Sequence, residues 1–333
     1  MYGILVVDKP PGPTSRDCVN EATAALRQTG DRSTKIAHAG TLDPLAHGAM
    51  VLLLGPAVRL MDQVHAFDKE YIGEFRFGFS SASGDLETEC IQVDSAPTLE
   101  RVPLLSTLEK FLGNIQQTPP AYSAIRIDGK RAHAHARRGI QVEIPKRSVE
   151  IHELELLDLN AQTFTIRTVC STGTYMRTLG SDIAKHLGSD AVMVDLKRTR
   201  VGPFQLDQAL RYDQLKPIPW EPFILSPSLA VSNLLTLCVD DVLMRKVLDG
   251  KKLPWHSILT HCISQAKPNT TASETAASHT TASDTKPSSS TVALLDDQLV
   301  LRAILKEIAP DQWRCDKGIA HWDVLPKKPD ASR

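Results

Sequence analysis

The chain has 333 residues and nearly balances 38 Lys and Arg against 39 Asp and Glu, for a net charge of −1. No global basic field announces a nucleic acid, so any such signal has to be local. Six cysteines (18, 90, 170, 238, 262 and 315) contain no C-x-x-C pair, which argues against a zinc knuckle or a disulfide framework and fits a reducing cytosol.

In chain order, "MYGILVVDKP" carries too short an apolar run for a signal peptide, and no long apolar span follows. A soluble, cytoplasmic protein is expected. Residues 3–7 read as a strand. "TSRDCVNEATAALRQTG" sets Thr14 and Asp17 in capping-box spacing. It gathers Cys18, Ala22, Ala25 and Leu26 on one face and stops at Gly30, so a helix is expected. "HAGTLDPLAHGAMVLLLG" (38–55) places a lone acid, Asp43, before Pro44 and between Gly40 and Gly48, ahead of an apolar run. By itself Asp-Pro reads as a turn.

"YIGEFRFGF" puts Tyr71, Phe75, Phe77 and Phe79 on one face and Glu74 and Arg76 on the other, a strand pattern. "QTFTIRTVC" alternates too and runs into "YMRTLGSDIAKHLG", where Leu179, Ile183 and Leu187 have helical spacing; "AVMVDLKRTRVG" alternates again. Strands and helices mix without a regular βαβ beat. The expected fold is α+β, with a mixed, largely antiparallel sheet flanked by helices. Ala266–Thr291 is half Ser and Thr with no large apolar residue, and reads as a disordered linker or inserted loop. It interrupts a small C-terminal domain expected over 223–325, after a larger domain over 1–222.

No phosphate-binding glycine loop, H-E-x-x-H or G-x-S-x-G is present. His133 and His135 are more readily surface or RNA-facing groups than metal ligands, so no metal is expected. The informative charge is local. Arg126–Arg147 holds seven Lys or Arg against Asp128 and Glu143. A solvated basic helix and a phosphate-gripping arm both fit that excess. "LKRTR" (196–200) adds a second basic stretch, and together they suggest a focused RNA footprint.

"DKPPGPTS" (8–15), "HAGTLDPLAHG" (38–48), "KEY" (69–71), "SASGD" (81–85), "PPAYSAIRIDGKRAHAHARRG" (119–139), "STGTYMRTLGSDIAKHLG" (171–188) and "VDLKRTRVGPF" (194–204) stand in order and spacing. In these segments the chain resembles the TruB family of pseudouridine synthases, over residues 3 to about 254. The resemblance implies a pseudouridine synthase core and isomerisation of uridine 55 in the T loop of tRNA, without cofactor. It implies Asp43, Tyr71 and Arg177 as catalytic residues. Tyr175 and Leu196 would line the base pocket, His38 and Lys9 would lie near the RNA, and Asp85 at the rim. The basic stretch at about 119–147, with Lys130, Arg131, Arg137 and Arg138, would be a thumb closing on the T arm. A monomer acting on tRNA, with no membrane or protein partner, is the matching expectation.

The sequence departs from the family pattern at Ala37, Ala39, His47 and Thr88, and in the region after about 255. Two different classes compete with the synthase: an RNA-binding or RNA-folding module with a dead site, and a nucleoside hydrolase using Asp43. The first would be expected to have lost one of Asp43, Tyr71 and Arg177. The second ordinarily needs two opposed carboxylates, for which Asp85 is the one candidate. A guide-RNA-dependent rRNA synthase would share this core but need partner proteins.

Overall fold

The computed structural model describes residues 1–123, 125–127, 130–132, 143–216, 219–266 and 290–319. Its elements run β1 (Gly3–Lys9), α1 (Ser15–Gln28), β2 (Ile36–His38), β3 (His47–Leu54), α2 (Met61–Ala66), β4 (Lys69–Phe77), β5 (Phe79–Ser81), β6 (Cys90–Gln92), α3 (Arg101–Glu109) and β7 (Gly113–Gln117). They continue with β8 (Arg126–Ile127), β9 (Lys130–Arg131), β10 (Arg147–Leu159), β11 (Thr163–Cys170), α4 (Met176–His186), β12 (Ala191–Val201), β13 (Phe204–Gln205), β14 (Leu210–Arg211) and β15 (Ile224–Leu225). The last part is β16 (Leu235–Val239), α5 (Asp241–Leu248), α6 (Trp255–Leu259), β17 (Cys262–Ala266), β18 (Thr291–Leu295), β19 (Leu301–Ala309) and β20 (Gln312–Gly318).

Local chemistry explains the elements that frame the cleft. α1 starts on a complete capping box: Thr14 Oγ1 accepts from the Asp17 amide at 3.2 Å, and Asp17 Oδ2 accepts from the Thr14 amide at 2.8 Å. β3 is buried along nearly its whole length, as a strand covered on both faces must be. β4 alternates as its sequence does, but ends at Phe77. Gly78 turns the chain at φ +81°, and Phe79 falls beneath the Arg76 guanidinium, 3.8 Å from its ring centre, instead of joining the Phe75 face.

Eleven strands form the main sheet, in the order β14-β1-β3-β12-β4-β11-β10-β7, with β2, β13 and β15 paired at its sides. β12 runs parallel to β3, β14 runs parallel to β1, and the other pairings are antiparallel. The sheet is therefore mixed and largely antiparallel, as expected. α4 lies on it where Gly180 meets the Phe75 ring. A β-carbon at Gly180 would come within 2.0 Å of that ring, so the missing side chain sets how closely the helix docks. Phe75 in turn stacks on Phe164 at 5.2 Å.

A second sheet, β17-β16-β18-β19-β20, packs with α5 and α6 around Trp255 and Trp313. β15 still pairs with β1, so the second sheet begins only at Leu235, beyond the 222/223 division read from sequence. Of the Ser/Thr-rich stretch, Ala266 ends β17 and Thr291 opens β18; residues 267–289 lie outside the described residues.

Candidate active site

The cavity sits where the centre of the main sheet meets the loop between β2 and β3. Its volume is about 300 Å³, and its wall includes Asp43, Lys69, Tyr71, Arg177, Leu196 and Arg198. That size is at the small end of ligand-binding clefts.

Asp43 rides on a loop held at both ends. Ser15 Oγ donates to the Leu42 carbonyl at 3.0 Å and accepts from the Leu42 amide at 2.8 Å. After the aspartate, the Pro44 carbonyl accepts from the Gly12 amide at 2.8 Å and from Lys9 Nζ at 3.3 Å. Gly40 and Gly48 take φ values of +100° and +101°, which glycine adopts without strain. The Asp43 side chain stays 39 % exposed on this braced loop.

Arg177, one turn before Gly180 in α4, is buried with both terminal nitrogens of its guanidinium engaged. Nη2 lies 3.0 Å from Asp43 Oδ2 and donates to the Tyr122 carbonyl at 3.0 Å. Nη1 donates to the Ser83 carbonyl at 2.8 Å and lies 3.4 Å from Asp85 Oδ2. The planar fork thus presents one charge to two carboxylates, one facing the cleft and one behind. Thr88 joins this support: its Oγ1 accepts from the Ser83 amide at 3.0 Å, bracing the turn that carries Asp85.

Tyr71 on β4 faces the cleft beside Asp43. Burial pushes its phenol above the ordinary value, while the Arg198 guanidinium pulls the other way. The phenol is therefore protonated at neutral pH. Lys69, two residues before it, is pushed down to about 8, first by burial and then by Arg198. Its ammonium donates to the His65 carbonyl at 2.6 Å and to the Phe67 carbonyl. Tyr175 is the N-cap of α4 and lines the cavity; its amide donates to Gln117 Oε1 at 3.0 Å, and the Arg147 guanidinium lies 4.5 Å from its ring centre. Leu196 lines the wall as expected.

The structure places several of the expected residues outside the wall of this cavity. Lys9 is fully buried. Its ammonium donates to the carbonyls of Pro10 and Pro13, at 2.9 Å each, as well as Pro44. It is spent on satisfying turn carbonyls that burial would otherwise strand. Asp85 is buried behind Arg177 and not at a rim. His38 is half-buried in β2, outside the residues that line the cavity. Burial, Arg16, His65 and Arg198 all push its pKa down.

The second basic stretch is not a free footprint either. Arg198 is 1 % exposed, and Arg200 lies 3.3 Å from Glu70, which also takes Arg167 at 2.9 Å. Within the first stretch, β8 and β9 pair as a small antiparallel ladder. Side chains of Lys130 and Arg131, and residues Arg137 and Arg138 entirely, lie outside the described residues, as do His133 and His135.

Sequence reasoning passed over His65, Lys69, Arg147 and Arg198 as cavity residues. For Arg198 a signal existed: β12 alternates, so Arg198 shares a face with Leu196. His65 had none, because it reaches the cleft from the end of α2 by tertiary placement.

A carboxylate, a phenol and a guanidinium thus converge on one cleft at the centre of a mixed sheet. The fold has counterparts among solved structures. The chain superposes on one from the "Crystal Structure of a Cbf5-Nop10-Gar1 Complex" with a TM-score of 0.68 at 20 % identity, covering 98 % of this chain and 87 % of that one. Residues 27–176 match the model of the TruB family pseudouridylate synthase N-terminal domain, and residues 177–222 match the tRNA pseudouridylate synthase B C-terminal domain. Proteins named tRNA pseudouridine synthase B are similar over the same part. That of Parabacteroides distasonis is 41 % identical over 64 % of this chain and 91 % of its own length. That of Geobacillus thermodenitrificans is 39 % identical over 65 % and 72 %. That of Rhodopirellula baltica is 45 % identical over 62 % and 60 %. The chain belongs to the TruB family of pseudouridylate synthases.

Proposed function

We propose that this chain converts uridine 55 in the T loop of tRNA to pseudouridine, acting in the cytoplasm as a single chain without a protein partner. The observation that carries the reading is Asp43. Among the described residues that line the cavity it is the one carboxylate, half-open on a loop braced from both sides and paired to a buried arginine at 3.0 Å.

Isomerisation breaks the N1–C1′ bond of uridine, turns the uracil and forms C5–C1′. The C5 proton leaves and N1 gains one, so no water, electron or second substrate is consumed. Asp43 supplies the negative charge at the reacting centre, as nucleophile or as stabiliser of positive charge at C1′. Arg177 holds that carboxylate in place from 3.0 Å. Tyr71, protonated at neutral pH, offers a stacking face and a hydroxyl beside the reacting centre, and is the candidate for removing the C5 proton. The stacked uridine must leave the loop to reach the cleft, at a cost of about a few kcal/mol, which stacking on Tyr71 and phosphate contacts offset.

The test is pseudouridine formation in an unmodified T-arm stem-loop RNA with no other protein present. Wild type converts the RNA, while Asp43→Asn binds it and loses turnover by on the order of 10⁴-fold or more. Retained turnover in Asp43→Asn would remove the assignment. Binding without turnover by wild type would favour a binding module or a partner-dependent enzyme.

A further inference from the structure

We propose that Arg198 is a positioning residue: it locks the Asp43 loop to Tyr71 from beneath the cleft, so that carboxylate and phenol meet the nucleotide as one rigid unit. This rests on the reading that Asp43 and Tyr71 serve the isomerisation.

Register supplies the first argument. Arg198 on β12 stands opposite Gly48 of β3 on one side and opposite Tyr71 of β4 on the other. It is the residue at which the strand leaving the aspartate loop and the strand carrying the tyrosine share one neighbour. Gly48 lets them close: a β-carbon there would fall 2.3 Å from the Arg198 carbonyl oxygen.

The side chain supplies the second. The guanidinium is directed back into the aspartate loop. Nε donates to the Ala49 carbonyl at 2.7 Å, Nη1 to Thr41 at 3.3 Å and Nη2 to Gly40 at 3.3 Å. The same residue stands opposite Tyr71 in the strand register and shares the cavity wall with it, and its charge bears on the phenol. One planar fork thus ties two carbonyls of the aspartate loop and one of β3 to the strand position opposite the tyrosine, a geometry that the single ammonium of lysine does not reproduce.

Charge supplies the third. Among the described residues, no carboxylate lies within 4 Å of this buried guanidinium, and it depresses the pKa values of Lys9, His38, His65 and Lys69. A buried cation without an anionic partner is costly to keep. Its carbonyl ligands offset part of that cost. The arrangement makes sense where the cation holds a loop and biases the cleft toward negative charge.

Arg198→Met and Arg198→Lys are compared with wild type on the T-arm RNA under single-turnover conditions. The expected result is a loss of at least 100-fold in turnover for Arg198→Met, with RNA affinity within threefold, and partial recovery in Arg198→Lys. Two readouts stand apart from activity. Tyr71 ionisation, isolated by ultraviolet difference against Tyr71→Phe, should move to higher pH in Arg198→Met; Asp43 and Cys170, the other titratable groups that bear on this phenol, remain in place. Hydrogen exchange at the Leu42 and Ala46 amides should accelerate. Turnover within threefold of wild type in folded Arg198→Met, or equal losses in turnover and affinity, would overturn the proposal. So would an unmoved Tyr71 titration with unchanged exchange. If Arg198→Met does not fold, Arg198→Lys must show the turnover loss and the faster exchange on its own. A wild type that leaves the RNA unconverted would instead sink the functional reading, while titration and exchange still decide the role of Arg198.

Discussion

Lys69 shows how far a single residue's chemistry is set by its neighbours. Its ammonium is buried beside Arg198 and gives up its proton at a pH of about 8 rather than the ordinary 10.5. The unfolded chain keeps that proton up to 10.5, so between the two values the unfolded state binds more protons and stability rises with pH. Wild type measured against Lys69→Met should therefore gain relative stability from pH 8 to 10.5 and show a flat difference below 8. Thermal melts of the two proteins across that range check it; a relative loss with rising pH would contradict the assignment. At the same scale, Asp43, Tyr71, Arg177 and Leu196 were all legible in the sequence. The family resemblance named them, and the cavity brings all four together. The burial of Lys9 and Asp85 was not legible. A lysine in a "DKPP" turn looks exposed until three carbonyls are seen to close over it.

Elements place these residues by close approach. β3 and β12 run parallel at Gly48, where backbone φ is +101° and a β-carbon would strike the Arg198 carbonyl at 2.3 Å. Gly48→Ala meets both penalties and should lose roughly 2–3 kcal/mol of stability. Urea unfolding measures it, and a variant within 0.5 kcal/mol of wild type would show that the strands part more readily than this packing implies. Helix α1, the alternation of β4, β11 and β12, and α4 were readable from period and capping alone, because those patterns are local. The turn at Gly78 and the placing of Phe79 were not. Glycine in an alternating run marks a possible break, but where the next side chain goes depends on Arg76 and on the strand beyond.

Across the whole molecule, the two sheets share a core. Ile4, Val6, Val51 and Leu53 of the main sheet cluster with Ala293, Leu295, Leu301 and Ile304 of the second. Polar ties reinforce the seam: Lys317 Nζ lies 2.5 Å from Asp62, and Arg59 donates to the Gly318 carbonyl. A chain ending at Leu234 would expose that apolar face to water. It should melt at least 10 °C lower than the full chain and associate on size exclusion; a monomer with unchanged melting would show the seam to be dispensable. Among the described residues, no helix is long and apolar enough to cross a membrane.

By itself, the sequence determined the mixed α+β architecture, the family and the aspartate at its centre. Those rest on periodicity, caps and motif spacing, which are properties of neighbouring residues. Only the tertiary structure decided which basic residues face the cleft and which are consumed inside. A charge count cannot distinguish an arginine awaiting a phosphate from one such as Arg198, whose fork is satisfied by carbonyls about 150 residues away in the chain. The difference is made by which strands lie side by side, and strand order is set by burial over the whole sheet rather than by any local run of residues.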